Sequence, residues 1–429
     1  MNFPKSSFLM CGAAPLLLAA AAHAQITLVG SAQIPGDALD RSGLPGMVVD
    51  NAGHPTDVPN AAFGGAGSAI DYTGSGDLYL MAPDRGPSNG DVLFANRVEW
   101  VRIAVKPGNA HPVTVSIEKT TLLKAGPGLQ YVGSSAAFVG NAGFAGKESL
   151  RLDPEGVRLS KSGDGSFWIS DEYGPFVLQF NDLGLKIGEF ALPSKYRVAH
   201  PDADELAELN ANTTGRQTNR GMEGLAITPD GKTLVGLMQS PLIQDHGLNA
   251  KQKRTGTLNR LITMNLPDRA TREFVYPMDD EKLGLNEILA LSDSDFLVIE
   301  RDGKSGKEAG VKHIERIDIR NATDISRPFT KGGKAYDYSG TTADNGLPSK
   351  APVPGVIPVH KTLFLDLLDP AFHLVDEPVP EKFEGLAWGP DFENGDKLLI
   401  VTTDNDFLRF EPTCFYAFRV PLADLRAAP

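Results

Sequence analysis

Four glutamates recur along the chain, each followed by a small or apolar residue that opens an apolar run: Glu155-Gly156-Val157, Glu223-Gly224-Leu225, Glu287-Ile288-Leu289 and Glu384-Gly385-Leu386. A fifth copy carries serine at that place, Ser68-Ala69-Ile70. Each copy passes through a turn and a second apolar run, then ends on an acidic or polar residue. In three copies the first and last residues are 16 apart: Glu155 and Asp171, Glu223 and Gln239, Ser68 and Asp84. Carboxylates at equivalent places in a repeat should gather in one place. Crowded acids shielded from water cannot all stay ionised, so each takes up a proton or shares a cation.

Ca²⁺ is the expected ion, because it accepts many oxygen ligands in flexible geometry. Its expected ligands are Glu155, Glu223, Glu287, Glu384 and Asp404, with further oxygens available from Asp153, Asn219 and Asn286. Zinc is disfavoured, since the 8 histidines show no ligand spacing and no His-Glu-x-x-His occurs. Arg85, Arg220 and Arg301 stand beside these acids, placed to hold an anionic group such as phosphate or to act as counter-ions. Cation and guanidinium together would neutralise the oxygens of a phosphoester while water attacks. The expected catalytic set is therefore Glu155, Glu223, Asp171, Arg85, Arg220 and Arg301. The competing structural reading makes Glu-Gly a turn device whose carboxylate bonds nearby backbone N–H groups. No Gly-x-Ser-x-Gly elbow, P-loop or dinucleotide fingerprint is present.

Short strands must position these residues. Apolar or alternating runs of 5–8 residues, bounded by Gly, Pro, Asn and Asp, fill the sequence. Each hairpin extends to four strands, giving five units, with room for a sixth between Asp324 and Val359. The last unit is one strand short, and Ile26 to Ile34 resembles the missing strand. The pattern predicts an all-β fold: a β-propeller of four-stranded blades, closed by the N-terminal strand against the C-terminal strands. A β-sandwich is the alternative. The best short helical candidates are Asp202 to Asn210 and Lys361 to Leu368, the second also readable as a fourth strand. Long loops such as Lys124 to Pro154 and Pro193 to Met222 open onto the face that carries the glutamates.

Residues 1–24 read as a signal peptide: Lys5, an apolar core from Ala13 to Ala22, and the small-x-small site Ala22-His23-Ala24. The expected destination is secreted or periplasmic, with residues 25–429 as one propeller domain. No other stretch is apolar for long enough to span a membrane. With 41 basic against 54 acidic residues the net charge is −13, which argues against nucleic acid or an anionic membrane as partner. Of the 2 cysteines only Cys414 survives removal of the leader, so no internal disulfide is available.

Asp84-Arg85-Gly86-Pro87, Asp153-Pro154-Glu155-Gly156, Ser170-Asp171-Glu172-Tyr173-Gly174-Pro175, Asn219 to Leu225 and Phe383 to Ala387 resemble the family called "esterase-like activity of phytase". The likeness runs from about Ile26 to Leu422. It implies a secreted bacterial β-propeller that hydrolyses phosphate or carboxylic esters of small molecules. The Glu-Gly ring is also similar in site, though not in sequence, to calcium propellers of the gluconolactonase and paraoxonase type. Ser68-Ala69 departs from the family, which usually shows Leu-Ser-Gly there. The leading expectation is a secreted, metal-dependent hydrolase of phosphate esters. The alternatives are a non-enzymatic ligand- or protein-binding propeller with a structural metal, and a lactonase or carboxylesterase.

Overall fold

The computed structural model describes residues 25–138, 149–376 and 378–426; the leader read in residues 1–24 lies outside them. Strand β1 is Thr27–Ile34. Blade one comprises β2 (Ala69–Tyr72), β3 (Leu78–Ala82), β4 (Arg97–Val105) and β5 (Val113–Leu122). Blade two comprises β6 (Pro154–Leu159), β7 (Phe167–Asp171), β8 (Phe176–Phe180) and β9 (Lys186–Phe190). Blade three comprises β10 (Met222–Ile227), β11 (Thr233–Met238), β12 (Leu258–Asn265) and β13 (Thr271–Pro277). Blade four comprises β14 (Gly284–Ala290), β15 (Asp295–Arg301), β16 (Lys312–Asp318) and β17 (His360–Asp366). Blade five comprises β18 (Lys382–Trp388), β19 (Lys397–Asp404) and β20 (Thr413–Val420), and β1 pairs antiparallel with β20 as its outermost strand.

The burial pattern explains why strands win. Every residue of β10 is buried, as is all of β7, so these strands read as continuous apolar runs with both faces covered. Outer strands such as β9 alternate between exposed and covered residues. The turns carry their own fixings: Asp164 Oδ1 accepts from Ser166 N at 2.9 Å, and Asp230 Oδ1 accepts from Lys232 N at 3.0 Å. Five apolar clusters each join two neighbouring blades, including blade five with blade one, so the core is a ring of interfaces.

The segment between β16 and β17 does not form a sixth blade. It folds back on the rim of blade three, where Ile325, Leu347 and Val353 pack on Leu258 and Val275. Of Lys361 to Leu368, the residues up to Asp366 are strand, not helix, because pairing with β16 satisfies their backbone, and Leu367 and Leu368 form a turn. Helix α1 (Glu205–Ala211) does form close to its expected place, capped by Asp204, whose Oδ1 accepts from Ala207 N at 2.7 Å.

The Glu-Gly pair has a geometric origin. Register shifts fall between Pro154 and Gly156, Met222 and Gly224, and Phe383 and Gly385, so Glu155, Glu223 and Glu384 are each the extra residue of a β-bulge. The following glycine lets neighbouring first strands approach. A Cβ on Gly224 would lie 2.9 Å from Ile288 N, and one on Gly156 would lie 2.9 Å from Leu225 N. Gly224→Ala should therefore cost about 1–3 kcal/mol through overpacking, read as a lower urea midpoint at unchanged m-value; an unshifted midpoint would refute the close-approach argument.

Candidate functional site

The bulges turn their glutamates toward the mouth of the central channel, into a cavity of about 260 Å³ lined without a single apolar side chain. Seven acids face it: Asp84, Glu155, Glu172, Glu223, Glu381, Glu384 and Asp406. Six cations face it too: Arg85, Arg220, Arg254, Lys282, Arg301 and Lys382. Such a lining suits a small, densely charged ligand.

The acidic pole belongs to blade two. Asp153, Glu155 and Glu172 each offer an oxygen within 4.8 Å of the others. Asp171, at the end of β7, fixes this group from behind: its carboxylate accepts from Asp153 N at 2.8 Å and Gly174 N at 2.7 Å. Asp153 in turn accepts from Arg85 N at 2.8 Å and lies 3.5 Å from Arg85 Nη1. Glu172 accepts from Gly221 N at 3.2 Å. Glu155 has no hydrogen-bond partner among the described residues, and burial, with Glu223 and Asp153 nearby, holds its carboxyl well above the usual range. Burial pushes Asp153 up to about 8, with Arg85 opposing it and Glu172 adding to it.

Glu223 connects the two poles. Its Oε1 accepts from Gln239 Nε2 at 2.5 Å and Asn286 Nδ2 at 2.8 Å, while Oε2 is buried with no hydrogen-bond partner. Burial, then Glu172 and Glu384, raise its pKa well above normal despite Arg220 and Arg301. On the basic side Arg301 pairs with Glu384, and Arg220 donates to Gln239. Among the described residues, the Arg254 guanidinium donates only to the carbonyls of Glu281 (3.1 Å) and Leu283 (3.0 Å). Burial and the charges of Arg220 and Arg301 pull Arg254 down to about 10, so three guanidinium groups crowd one another. That crowding favours a bound anion.

The structure brings together Glu155, Glu223, Glu384, Arg85, Arg220 and Arg301, with Asn219 and Asn286 beside them. Three expected residues stand elsewhere. Glu287 is buried outside the cavity, its Oε2 2.9 Å from Arg158 Nη2, because the bulge in β14 spans two residues and Asn286 takes the outward place. Asp171 is a turn anchor. Asp404 does not line the cavity; it accepts from Lys382 Nζ at 2.8 Å and Asp406 N at 2.9 Å, and it offers an oxygen within 4.8 Å of Asp84 and Asp406, a second group of carboxylates that could hold a cation. Ser68 is buried and donates to Gly65 O at 3.0 Å; blade one supplies Asp84 and Arg85 instead. Sequence reasoning missed Glu172, Glu381, Arg254, Lys282 and Lys382. The position two before the bulged glutamate, Asp153 in blade two and Lys382 in blade five, was a usable signal. Arg254 lies in a loop outside the repeat, with no signal to find it.

The family described as "esterase-like activity of phytase" matches residues 61–407. The chain belongs to that family. A relative described as an uncharacterized secreted protein of Arthroderma benhamiae is 26% identical over 472 residues, covering 90% of this chain and 88% of that protein. Among solved structures, the Dos1 propeller is 10% identical, covering 86% of this chain and 71% of that one, with a TM-score of 0.27. A luciferin-regenerating enzyme is 8% identical, covering 88% and 96%, with a TM-score of 0.29. Among the described residues, no helix is long and apolar enough to cross a membrane.

Two consequences follow from this geometry. Arg158 also donates to Ile70 O and Ile288 O, both at 2.8 Å, so Arg158→Met takes away the cation paired with the buried Glu287 and leaves it only the N–H groups of Ile288 and Leu225. Asp153 (about 8) and Asp171 (about 6) lie above their unfolded values, so the folded chain holds extra protons in between. Their contribution is complete below about pH 4, lost as pH rises, and level above about pH 8. Under chelator, the urea midpoint should fall between about pH 5 and about pH 8, and a divalent cation should reduce the fall.

Proposed function

We propose that this chain is a secreted, cation-dependent hydrolase of phosphate esters acting at the channel mouth. The observation that carries the reading is one cavity without apolar side chains, lined by Glu155, Glu172 and Glu223 with Arg220, Arg254 and Arg301, where the buried Asp153 completes an acid triad within 4.8 Å. The donor set fits a hard cation. It consists of oxygens alone, the Glu155 carboxylate is unbonded, and Glu223 Oε2 is buried without a hydrogen bond. Asp153, Glu155 and Glu172 would hold the ion, with Ca²⁺ the best match to a flexible, oxygen-rich set, and Glu223 next to them. When bound, the cation would supply Lewis-acid polarisation of a phosphoryl oxygen.

The remaining work falls to the chain itself. Arg220, Arg254 and Arg301 receive the non-bridging oxygens and neutralise charge that grows in the transition state. Glu223, held by Gln239 and Asn286 through one oxygen, keeps the other free to take a proton from water or return it to the leaving oxygen. The reacting group meets only charge and hydrogen bonds, which suits a phosphoryl group better than an acyl chain. Family membership supports ester hydrolysis, and the secreted relative supports export after removal of residues 1–24, leaving residues 25–429 as the working domain.

Elemental analysis of the purified protein, with turnover of phosphate monoesters before and after chelation, tests this reading. Bound calcium should be found, chelation should abolish turnover, and Ca²⁺ should restore it. Glu155→Gln should weaken calcium binding at least about tenfold with the fold intact, and Arg254→Ala should raise KM for the ester about tenfold or more. Undiminished turnover by metal-free protein would overturn the assignment.

A further inference from the structure

We infer that the ester hydrolysed here carries an apolar alcohol or aryl group, bound in a side groove next to the charged cavity, an inference that rests on the phosphoester reading above. The groove has a volume of about 430 Å³ and shares Arg220 and Arg254 with the cavity. Beyond those arginines its character changes, since Leu206, Leu209 and Leu248 line it where the cavity has no apolar side chain.

The groove is built, not incidental. Helix α1 is inverted relative to an ordinary surface helix, which buries its apolar stripe and exposes its charges. Here Glu208 is the buried residue, paired with Arg216 at 2.6 Å, while Leu206 is 63% exposed. Leu206 and Leu209, three residues apart, lie on one helical face along the groove. The opposite wall is a tight turn in which Leu248 bridges Arg254, so one backbone link fixes an apolar wall and a phosphate-facing cation together. Glu205 lies at the junction, 4.0 Å from Arg85 Nη1, tying the helix to the cavity.

A phosphoryl group among the arginines would thus direct its ester oxygen toward the seam of Arg220 and Arg254 and its organic group over the leucines. A ligand charged all around its surface would leave the groove unfilled. The reaction remains simple hydrolysis: the P–O bond to the alcohol breaks, water supplies the new P–O bond, and its proton passes to the departing oxygen.

Calorimetry with non-hydrolysable probes, on the calcium-loaded protein, tests this. Naphthylphosphonate should bind at least about tenfold more tightly than methylphosphonate, since a modest apolar contact discriminates by roughly that factor. In the double variant Leu206→Gln, Leu209→Gln the two affinities should converge, and the ratio of kcat/KM for naphthyl phosphate over glycerol phosphate should fall about tenfold. Leu206 is exposed and Leu209 half-buried, and near-wild-type thermal melting would show the variant folded. Equal binding of the two phosphonates by wild type overturns the groove and leaves the phosphoester site standing. Failure of both phosphonates and of inorganic phosphate to bind overturns the groove and the phosphoester reading together.

Discussion

The arrangement depends on one electrostatic constraint: a ring of strands brings more carboxylates to its axis than a dry cavity can hold as bare charges. Several buried acids within a few ångströms must be neutralised by protons, by cations of the chain, or by an ion. The molecule uses the second remedy unevenly. Arg301 answers Glu384, and Lys382 answers Asp404 and Asp406, but blade two gathers Asp153, Glu155 and Glu172 against Arg85 alone. Burial first, and the neighbouring acids after it, raise the pKa values of Glu155 and Asp153.

Backbone geometry explains why the acids cannot simply turn away. A bulge adds one residue to the first strand, and the extra side chain is pushed out of the alternation that would otherwise direct it to a blade interface. The glycine that follows is needed by the neighbouring strand, whose backbone would meet a Cβ at 2.9 Å behind Glu223. Deeper in the channel the same crowding is settled internally, where Arg158 spans to Glu287 and to carbonyls of two other blades. Glu287 thus has a cation of the chain beside it, whereas Glu155 and Glu223 keep carboxylate oxygens without a hydrogen-bond partner among the described residues.

Much of this was legible in the sequence, for identifiable reasons. Strand periodicity and the Glu-Gly repeat carry the blade count and the convergence of Glu155, Glu223 and Glu384, because both follow from local pattern repeated. The repeat misplaced Glu287, since the β14 bulge spans two residues and the outward place passes to Asn286. Asp171 looks functional by type and position, yet its oxygens are committed to backbone N–H groups. Lys361 to Leu368 reads both as a short helix and as a fourth strand because its apolar spacing fits both periods, and only the partner strand decides for the strand. Arg254 was invisible, because a loop residue's place is set by tertiary packing that no local pattern encodes.

The break in symmetry is what gives the site a direction. If every blade had placed an acid two residues before its bulged glutamate, as blade two does with Asp153, the mouth would be a uniform anionic collar suited to cations alone. Blade five places Lys382 there, and blade three places Gly221, whose N–H serves Glu172. That one position thus varies from acid to bare N–H to cation, while Arg220 just before β10, Arg301 at the end of β15 and Arg254 in a loop supply the basic side of the same cavity of about 260 Å³. A cation and an anion can then be held side by side. A repeated scaffold reaches that state by changing few side chains, since the frame already fixes where each of them points.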